Sequence, residues 1–320
     1  MGSGGTSGVE KFSLRKAYSE ALLELGRKRR DVVVLDADLS SSTQTARFRK
    51  AFPDRFFNMG IAEADMIDTA VGLATTGKLV FVSTFAMFAV GKPWEQVRNS
   101  AAYSGVTLNI VATHSGITVG EDGASHQAIE DMALMRIIPR TTVIAPADDI
   151  ATYALVMELA GHEGLSYMRL TRPNLPRIYN ENETFKIGKA KVLSEGTDAV
   201  LIATGSLVWP SLVASELLSS EGISAGVIDM HTVKPLDEDA VLAAASKTGL
   251  VITAEEHSVV GGLGDAVASL LAEKRPTRLA KIGVKDRFGE SGSCDELMEY
   301  FGFTPEELAS NVKEILGRRT

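Results

Sequence analysis

Cysteine is almost absent from this 320-residue chain, with Cys294 the only one. A single thiol excludes an intramolecular disulfide framework and any zinc cluster built from cysteines, and it suits a reducing, cytoplasmic setting. Positive charge is also short. Lys and Arg number 33 against 41 Asp and Glu, a net charge of −8. General nucleic-acid binders and anionic-membrane binders present a basic surface, so neither partner is expected. No uninterrupted apolar run reaches the roughly 18 residues that a membrane-spanning helix needs. Residues 1–8 have no apolar signal core, and residues 1–10 read as a flexible leader or tag. The composition is otherwise that of a folded protein, 45% hydrophobic and 23% charged. At this length roughly three quarters of the extended chain's surface can be buried without a disulfide or metal staple. Two domains are expected.

Apolar runs of strand length alternate with longer amphipathic stretches. Strands are expected at 32–35, 55–58, 79–82, 107–113, 142–145 and 166–170. Leu14, Tyr18, Ala21, Leu22 and Leu25 recur at helical spacing before the first strand. Further helices are expected from Met66 to near Gly77, over 97–103 and from Asp148. Pro173, Pro176, Asn180, Asn182 and Gly188 then break the pattern. The alternation resumes with strands at 199–204, 225–229, 250–255 and 279–284, separated by helices and closed by a last helix over 305–316. This predicts an α/β protein of two open, mostly parallel sheet domains, residues 11–180 and 191–320, joined by a linker at 181–190.

Ligands of open parallel sheets bind beyond the carboxyl ends of the strands. Five polar clusters follow first-domain strands and could share one rim: 36–43, 60–63, 83–88, 114–126 and 171–172. The segment 114–127 holds two of the five histidines, His114 and His126, together with Asp122 and three glycines. Histidine exchanges protons near neutral pH and aspartate accepts from hydroxyls, a mixture that suits a polyhydroxylated substrate as well as it suits a plain surface loop. Glu63 sits at a helix start, where a carboxylate either offsets the helix dipole or, if buried, takes part in proton transfer. Phe85 and Phe88 share a helical face, either as core or as a platform for a flat heterocycle. Arg15 and Arg172 are candidates for phosphate. Asp36, Asp38 and Ser42 lie past a strand end, where turn and helix capping is the simple role. Gly262-Leu263-Gly264-Asp265-Ala266-Val267 begins like a dinucleotide fingerprint, but it ends on Val and follows the third strand of its domain, so it reads as a helix-opening turn. Glu255-Glu256-His257 reads as a hydrogen-bonded sheet-end cluster rather than a metal site. Nothing argues for a reactive Cys294.

Four motifs then stand in order: Gly60-Ile61-Ala62-Glu63, Ser83-Thr84-Phe85-Ala86-Met87-Phe88, Gly120-Glu121-Asp122-Gly123-Ala124-Ser125-His126-Gln127 and Ile228-Asp229-Met230-His231-Thr232-Val233-Lys234-Pro235-Leu236-Asp237. Together they resemble the C-terminal half of transketolase, a thiamine-diphosphate enzyme, over residues 10–318. The chain looks like the C-terminal subunit of a split transketolase, with a pyrimidine-binding domain and the family's C-terminal domain. The resemblance implies that Glu63 hydrogen-bonds N1′ of the aminopyrimidine. It places Phe85 and Phe88 around that ring and Asp38 on the cofactor. His126 would stand near the reacting carbonyl, Asp122 at a sugar hydroxyl, and His114, Arg172, Ser42 and Arg15 at the sugar's distal phosphate. Gly91 stands where the family often carries a third aromatic.

The family's diphosphate domain carries Gly-Asp-Gly with a downstream Asn, which bind the metal and the diphosphate. Here Gly264-Asp265-Ala266 lacks the last Gly, and no Asn stands between 267 and 310. The resemblance therefore implies an N-terminal partner subunit holding Mg²⁺ or Ca²⁺, a site between chains, and an α2β2 assembly acting on sugar phosphates. Deoxyxylulose-phosphate synthase and the beta subunit of 2-oxo-acid dehydrogenases are the competing relatives. A non-catalytic assembly subunit and a dinucleotide-binding oxidoreductase are the readings from other classes.

Overall fold

The computed structural model describes residues 9–317. Most of the expected leader, residues 1–8, lies outside them. The strands are β1 (Lys11–Phe12), β2 (Val32–Asp36), β3 (Phe56–Asn58), β4 (Leu79–Ser83), β5 (Leu108–Ala112), β6 (Thr142–Ile144), β7 (Leu165–Arg169) and β8 (Leu175–Pro176). Beyond the irregular connector come β9 (Lys191–Ser194), β10 (Ala199–Ala203), β11 (Ala225–Asp229), β12 (Thr232–Lys234), β13 (Leu250–Ser258) and β14 (Arg278–Val284). The larger sheet has the order β12-β6-β7-β5-β4-β2-β3, and the smaller β14-β13-β10-β11-β9. All pairings in them are parallel except β12 with β6 and β9 with β11.

The expected α/β architecture is what forms, for a simple reason. Parallel strands are covered by helices on both faces, so they read as continuous apolar runs. Along β2, Val32 and Val34 join one apolar layer while Val33 and Leu35 join the other. Each layer continues through the second sheet, Leu201 in the first and Val200 and Ile202 in the second. The helix Leu14–Lys28 starts at Ser13, whose side chain accepts from the Lys16 amide, and it buries Leu14, Tyr18, Ala21, Leu22 and Leu25. Asp148 and Asp237 cap the helices Asp149–Leu159 and Glu238–Thr248 in the same way. Each such cap contributes about 1 kcal/mol.

Two features were not legible in the sequence pattern. Strand β12, from the second half of the chain, crosses over to edge the larger sheet, pairing Thr232 with Ile144 and Lys234 with Val143. Lys234 then donates to the Arg136 carbonyl at 2.7 Å. The connector after β8 is irregular but tied down. Asp148 accepts from the Ile178 and Tyr179 amides at 2.8 and 2.9 Å, and Arg177 pairs with Asp149 at 2.6 Å. The Tyr179 hydroxyl donates to Asp229 at the end of β11, 2.7 Å away.

Burial pushes the Asp229 carboxyl up to about 7, against the Tyr179 hydrogen bond that lowers it. Unfolded, this carboxyl ionises near 3.9. Between those values the native state holds a proton that the unfolded state has lost, so this group's contribution to stability is full below about 4 and declines as pH rises to about 7. Asp229→Asn removes that dependence. The variant's unfolding free energy, measured by urea titration, is expected to fall less than the parent's between pH 4 and pH 7.

Candidate active site

The parallel register puts the carboxyl ends of β7, β5, β4, β2 and β3 side by side on one edge. The five polar clusters of the sequence leave from that edge. Arg15 reaches it from the first helix, donating to the Ser42 carbonyl and to the Arg172 carbonyl, both at 2.9 Å.

Glu63 opens the helix Glu63–Thr75 and is only 3% exposed. Its carboxylate accepts from Lys92 at 2.7 Å, and the Lys92 side chain is 56% exposed. The buried partner is fixed and the exposed one is free to swing, so the pair can open without moving the backbone. Lys92 lies between Gly91 and Pro93, outside any periodic stretch, and nothing in the sequence pattern singled it out. Phe85 follows β4 and its ring stacks on His114, with centroids 3.8 Å apart and planes at 26°. Phe88 lies 6.0 Å from Phe85 and nearly parallel to it. The edge of His126 meets both rings, at 6.5 and 5.4 Å. The two phenylalanines and two histidines therefore form one aromatic wall, with Phe85 nearly buried.

His114 carries positive φ and bonds through Nδ1 to the Thr113 hydroxyl at 2.8 Å. Burial first, then Arg15, Arg172 and His126, lower its pKa to about 3. At neutral pH this ring is uncharged, so the positive charge beside it belongs to the two guanidinium groups. Arg172 contacts the Val119 carbonyl and pairs with Glu121 at 3.0 Å. Ser42 contributes its carbonyl to Arg15, which holds that side chain in place. Asp38 takes positive φ, and its backbone amide and carboxylate exchange hydrogen bonds with the Asn58 amide group at 3.0 and 2.9 Å. Asn58, which the sequence reading passed over, thus joins the ends of β2 and β3. Asp36 caps its own loop, accepting from the Leu39 amide and from Thr43 and Thr45. Asp122 is exposed at the end of the turn Ile117–Asp122, and His126 bonds the Ser125 hydroxyl at 2.9 Å.

The segment with the incomplete glycine fingerprint does open a helix, Leu263–Lys274. The Leu263 and Gly264 amides at its start donate to Glu255 at 2.7 and 2.8 Å. A carboxylate already occupies the position where a dinucleotide's pyrophosphate would bind. A Cβ on Gly262 would stand 1.9 Å from Glu255 Oε2, which explains that glycine. Among the described residues, no three His, Cys, Asp or Glu side chains gather as metal ligands. The Cys294 thiol donates to the Thr118 carbonyl at 3.2 Å, and burial raises its pKa. It is a packed thiol rather than a nucleophile. No helix among the described residues is long and apolar enough to cross a membrane.

Residues 10–177 match the family model of the transketolase pyrimidine binding domain, and residues 188–308 match that of the transketolase C-terminal domain. The chain belongs to the transketolase family. A transketolase C-terminal section of Methanocaldococcus jannaschii is 51% identical over 311 residues, covering 96% of this chain and 97% of that protein. A 6-deoxy-6-sulfo-D-fructose transketolase subunit of Clostridium sp. is 43% identical, covering 97% of each. A solved structure described as a split gene transketolase, inactive β4 tetramer, superimposes with a TM-score of 0.89 at 46% identity, covering 97% of this chain and all of that one.

Transketolases are transferases that use thiamine diphosphate, and the residues present suit its pyrimidine end. A protonated ring nitrogen would pair with a buried carboxylate, and Glu63 is one, with an exposed lysine as its present partner. A flat ring would pack against an aromatic wall such as the one that Phe85 and Phe88 form.

Proposed function

We propose that this chain is the pyrimidine-binding half of a two-subunit transketolase. In this reading residues 11–180 form the pyrimidine-binding domain, 181–190 the linker and 191–320 the C-terminal domain. The observation that carries it is the single edge that gathers a buried carboxylate, an aromatic wall and a corner with two guanidinium groups. The chain lacks the Gly-Asp-Gly and Asn pattern that binds the diphosphate. The metal, Mg²⁺ or Ca²⁺, and the diphosphate therefore belong to an N-terminal partner subunit, with the site between chains and α2β2 the expected assembly. The split-gene relative's description as an inactive β4 tetramer supports self-association of the chain without that partner.

The cofactor, when bound, supplies the carbanion chemistry that moves a two-carbon ketol unit from a ketose phosphate to an aldose phosphate. This chain's residues orient and protonate. Glu63 holds and exchanges the proton at the pyrimidine ring nitrogen, in a dry position where the bond is strong. Phe85 and Phe88 exclude water from that ring, and Asp38, tied to Asn58, closes the neighbouring wall. His126 exchanges a proton with the reacting sugar oxygen, and Asp122 accepts from a sugar hydroxyl. Arg15 and Arg172, with His114 as a neutral donor and Ser42 holding Arg15, grip the distal phosphate. That remote binding energy orients the reacting carbons. Ketol exchange among pentose phosphates in the cytoplasm is the setting this implies.

The test is ketol transfer from xylulose 5-phosphate to ribose 5-phosphate, with thiamine diphosphate and Mg²⁺. The chain is assayed alone and with the N-terminal subunit of its own host. Activity only in the mixture is the expected result. Activity of the chain alone would overturn the assignment of the metal to a partner. Failure in both would transfer the reading to 2-oxo-acid chemistry or to a non-catalytic subunit. The donor panel includes 6-deoxy-6-sulfo-D-fructose, for which the Clostridium relative is named. A preference for it would mean that the two-arginine corner takes a sulfonate.

A further inference from the structure

The site residues all come from the first sheet's side of the molecule, yet the loop that carries Asp122 and His126 is held from the other sheet. Its neck is closed by the Gly116 amide donating to the Ala128 carbonyl at 2.9 Å. Just inside the neck stands Glu256, near the end of β13 and 2% exposed. Its Oε1 accepts both the amide and the hydroxyl of Thr118, at 2.7 and 2.8 Å. Its other oxygen accepts from the Ser206 hydroxyl. Gly116 has φ +76°, and a Cβ there would lie 2.2 Å from Glu256 Oε1, so the loop backbone and this carboxylate are built to touch. Two lesser contacts come from the same side. Cys294 donates to the Thr118 carbonyl, and the Gln127 side-chain amide spans the Ile117 and Glu290 carbonyls at 2.9 and 2.8 Å. The Arg169 guanidinium, from β7, donates to the Glu256 carbonyl at 3.2 Å and keeps the strand end in register with the first sheet.

We propose that Glu256 is a positioning residue for the substrate loop: by holding Thr118 it sets where Asp122 stands, and it makes sugar-phosphate binding depend on the contact between the two sheets. This rests on the reading of residues 114–127 as the sugar-binding loop. Glu256 touches neither sugar nor cofactor. Its loss should therefore appear in the donor's KM, while the Glu63 side of the site, three strands away in the sheet order, keeps its affinity for thiamine diphosphate.

The experiment compares Glu256→Ala and Glu256→Gln in the enzyme reconstituted with its N-terminal subunit. Glu256→Ala leaves two Thr118 donors without their acceptor, and the KM for xylulose 5-phosphate is expected to rise about tenfold. The kcat and the dissociation constant for thiamine diphosphate should stay within about twofold. Glu256→Gln keeps the Oε1 acceptor for both donors, and the Ser206 hydroxyl can turn to accept from the new amide. It should bring the KM back to within about threefold of the parent. Hydrogen exchange of amides 116–127 should quicken in the Ala variant and not in the Gln variant. An unchanged donor KM in a folded Glu256→Ala enzyme would overturn the proposal. So would a parallel fall in kcat and cofactor affinity, or a Gln variant no better than Ala. Should the Ala variant fail to fold, Thr118→Val, which deletes one of the two donors, is expected to raise the donor KM about threefold, and an unchanged KM there overturns the proposal equally. Asp122→Ala separates the two layers of inference. If it too leaves donor KM unchanged, the loop is not the sugar-binding loop. If it raises donor KM while Glu256→Ala does not, only the positioning role fails.

Discussion

Glu63→Gln is expected to leave the reconstituted enzyme folded, assembled and loaded with thiamine diphosphate while kcat falls by about 10²–10⁴. The exchange is close to isosteric. The Gln carbonyl can still accept from Lys92, which now pairs with Glu63 at 2.7 Å. The change in fold stability is limited to the helix dipole's preference for a negative group at its start, about 0.3–1 kcal/mol, and to the charge of the Lys92 pair, at most about 1 kcal/mol with its exposed lysine. The catalytic loss is larger because an amide cannot take up or release the ring-nitrogen proton that the reaction requires. A 10²–10⁴ drop corresponds to about 3–5 kcal/mol in the barrier, which exceeds the dipole contribution several-fold. Gel filtration, a cofactor titration and a turnover assay on one preparation separate these effects. Near-parental turnover would reject Glu63 as the proton-exchanging group, whatever the titration shows.

Asp131→Ala is expected to remove about 3–5 kcal/mol of unfolding free energy. Asp131 and Arg169 are almost wholly buried, with Arg169 Nε 2.8 Å from the carboxylate. The Tyr167 hydroxyl donates to the same oxygen at 2.6 Å. His257, held neutral by burial that lowers its pKa to about 4, lies against the other one. Removing the carboxylate leaves the buried guanidinium hydrogen-bonded only to the Ala128 and Glu256 carbonyls, with the more distant Glu255 and Glu256 carboxylates as its remaining counter-charges, and strands the tyrosine hydroxyl. The double variant Asp131→Leu, Arg169→Met is the informative control. Two apolar side chains of similar volume carry no desolvation cost, so most of the single variant's loss should return. Guanidinium titrations of the parent, both singles and the double complete the cycle. A single-variant cost below about 1 kcal/mol would mean that water reaches this pair and compensates it.

The sequence made the sheets legible because their strands are buried on both faces, so Val32 to Asp36 and Ala199 to Ala203 stand out as short apolar runs between helical periods. Helix starts were legible where Asp148, Asp237 and Thr304 supply a capping oxygen. Strand β12 was not, since its three residues carry no period and its partner β6 lies far away in sequence. The candidate site was legible for a similar reason. Strand ends in a parallel sheet share an edge, so Glu63, Phe85, His114 and Arg172 could be placed together before any distance was known. The pairings that tune the site escaped. Lys92 on Glu63, Asn58 on Asp38 and Glu256 under Thr118 join residues 20 to 138 positions apart, and contacts at such separations leave no local pattern.

Strand β12 has a consequence for how such a protein can change over generations. The larger sheet ends in a strand that the second half of the chain supplies, and without it the backbone edge of β6 would lie open to pairing with other chains. Recombination that separated the two sheets would deliver one half with an exposed edge and the other with an unpaired strand. Keeping both sheets on one polypeptide is therefore what keeps the β6 edge covered.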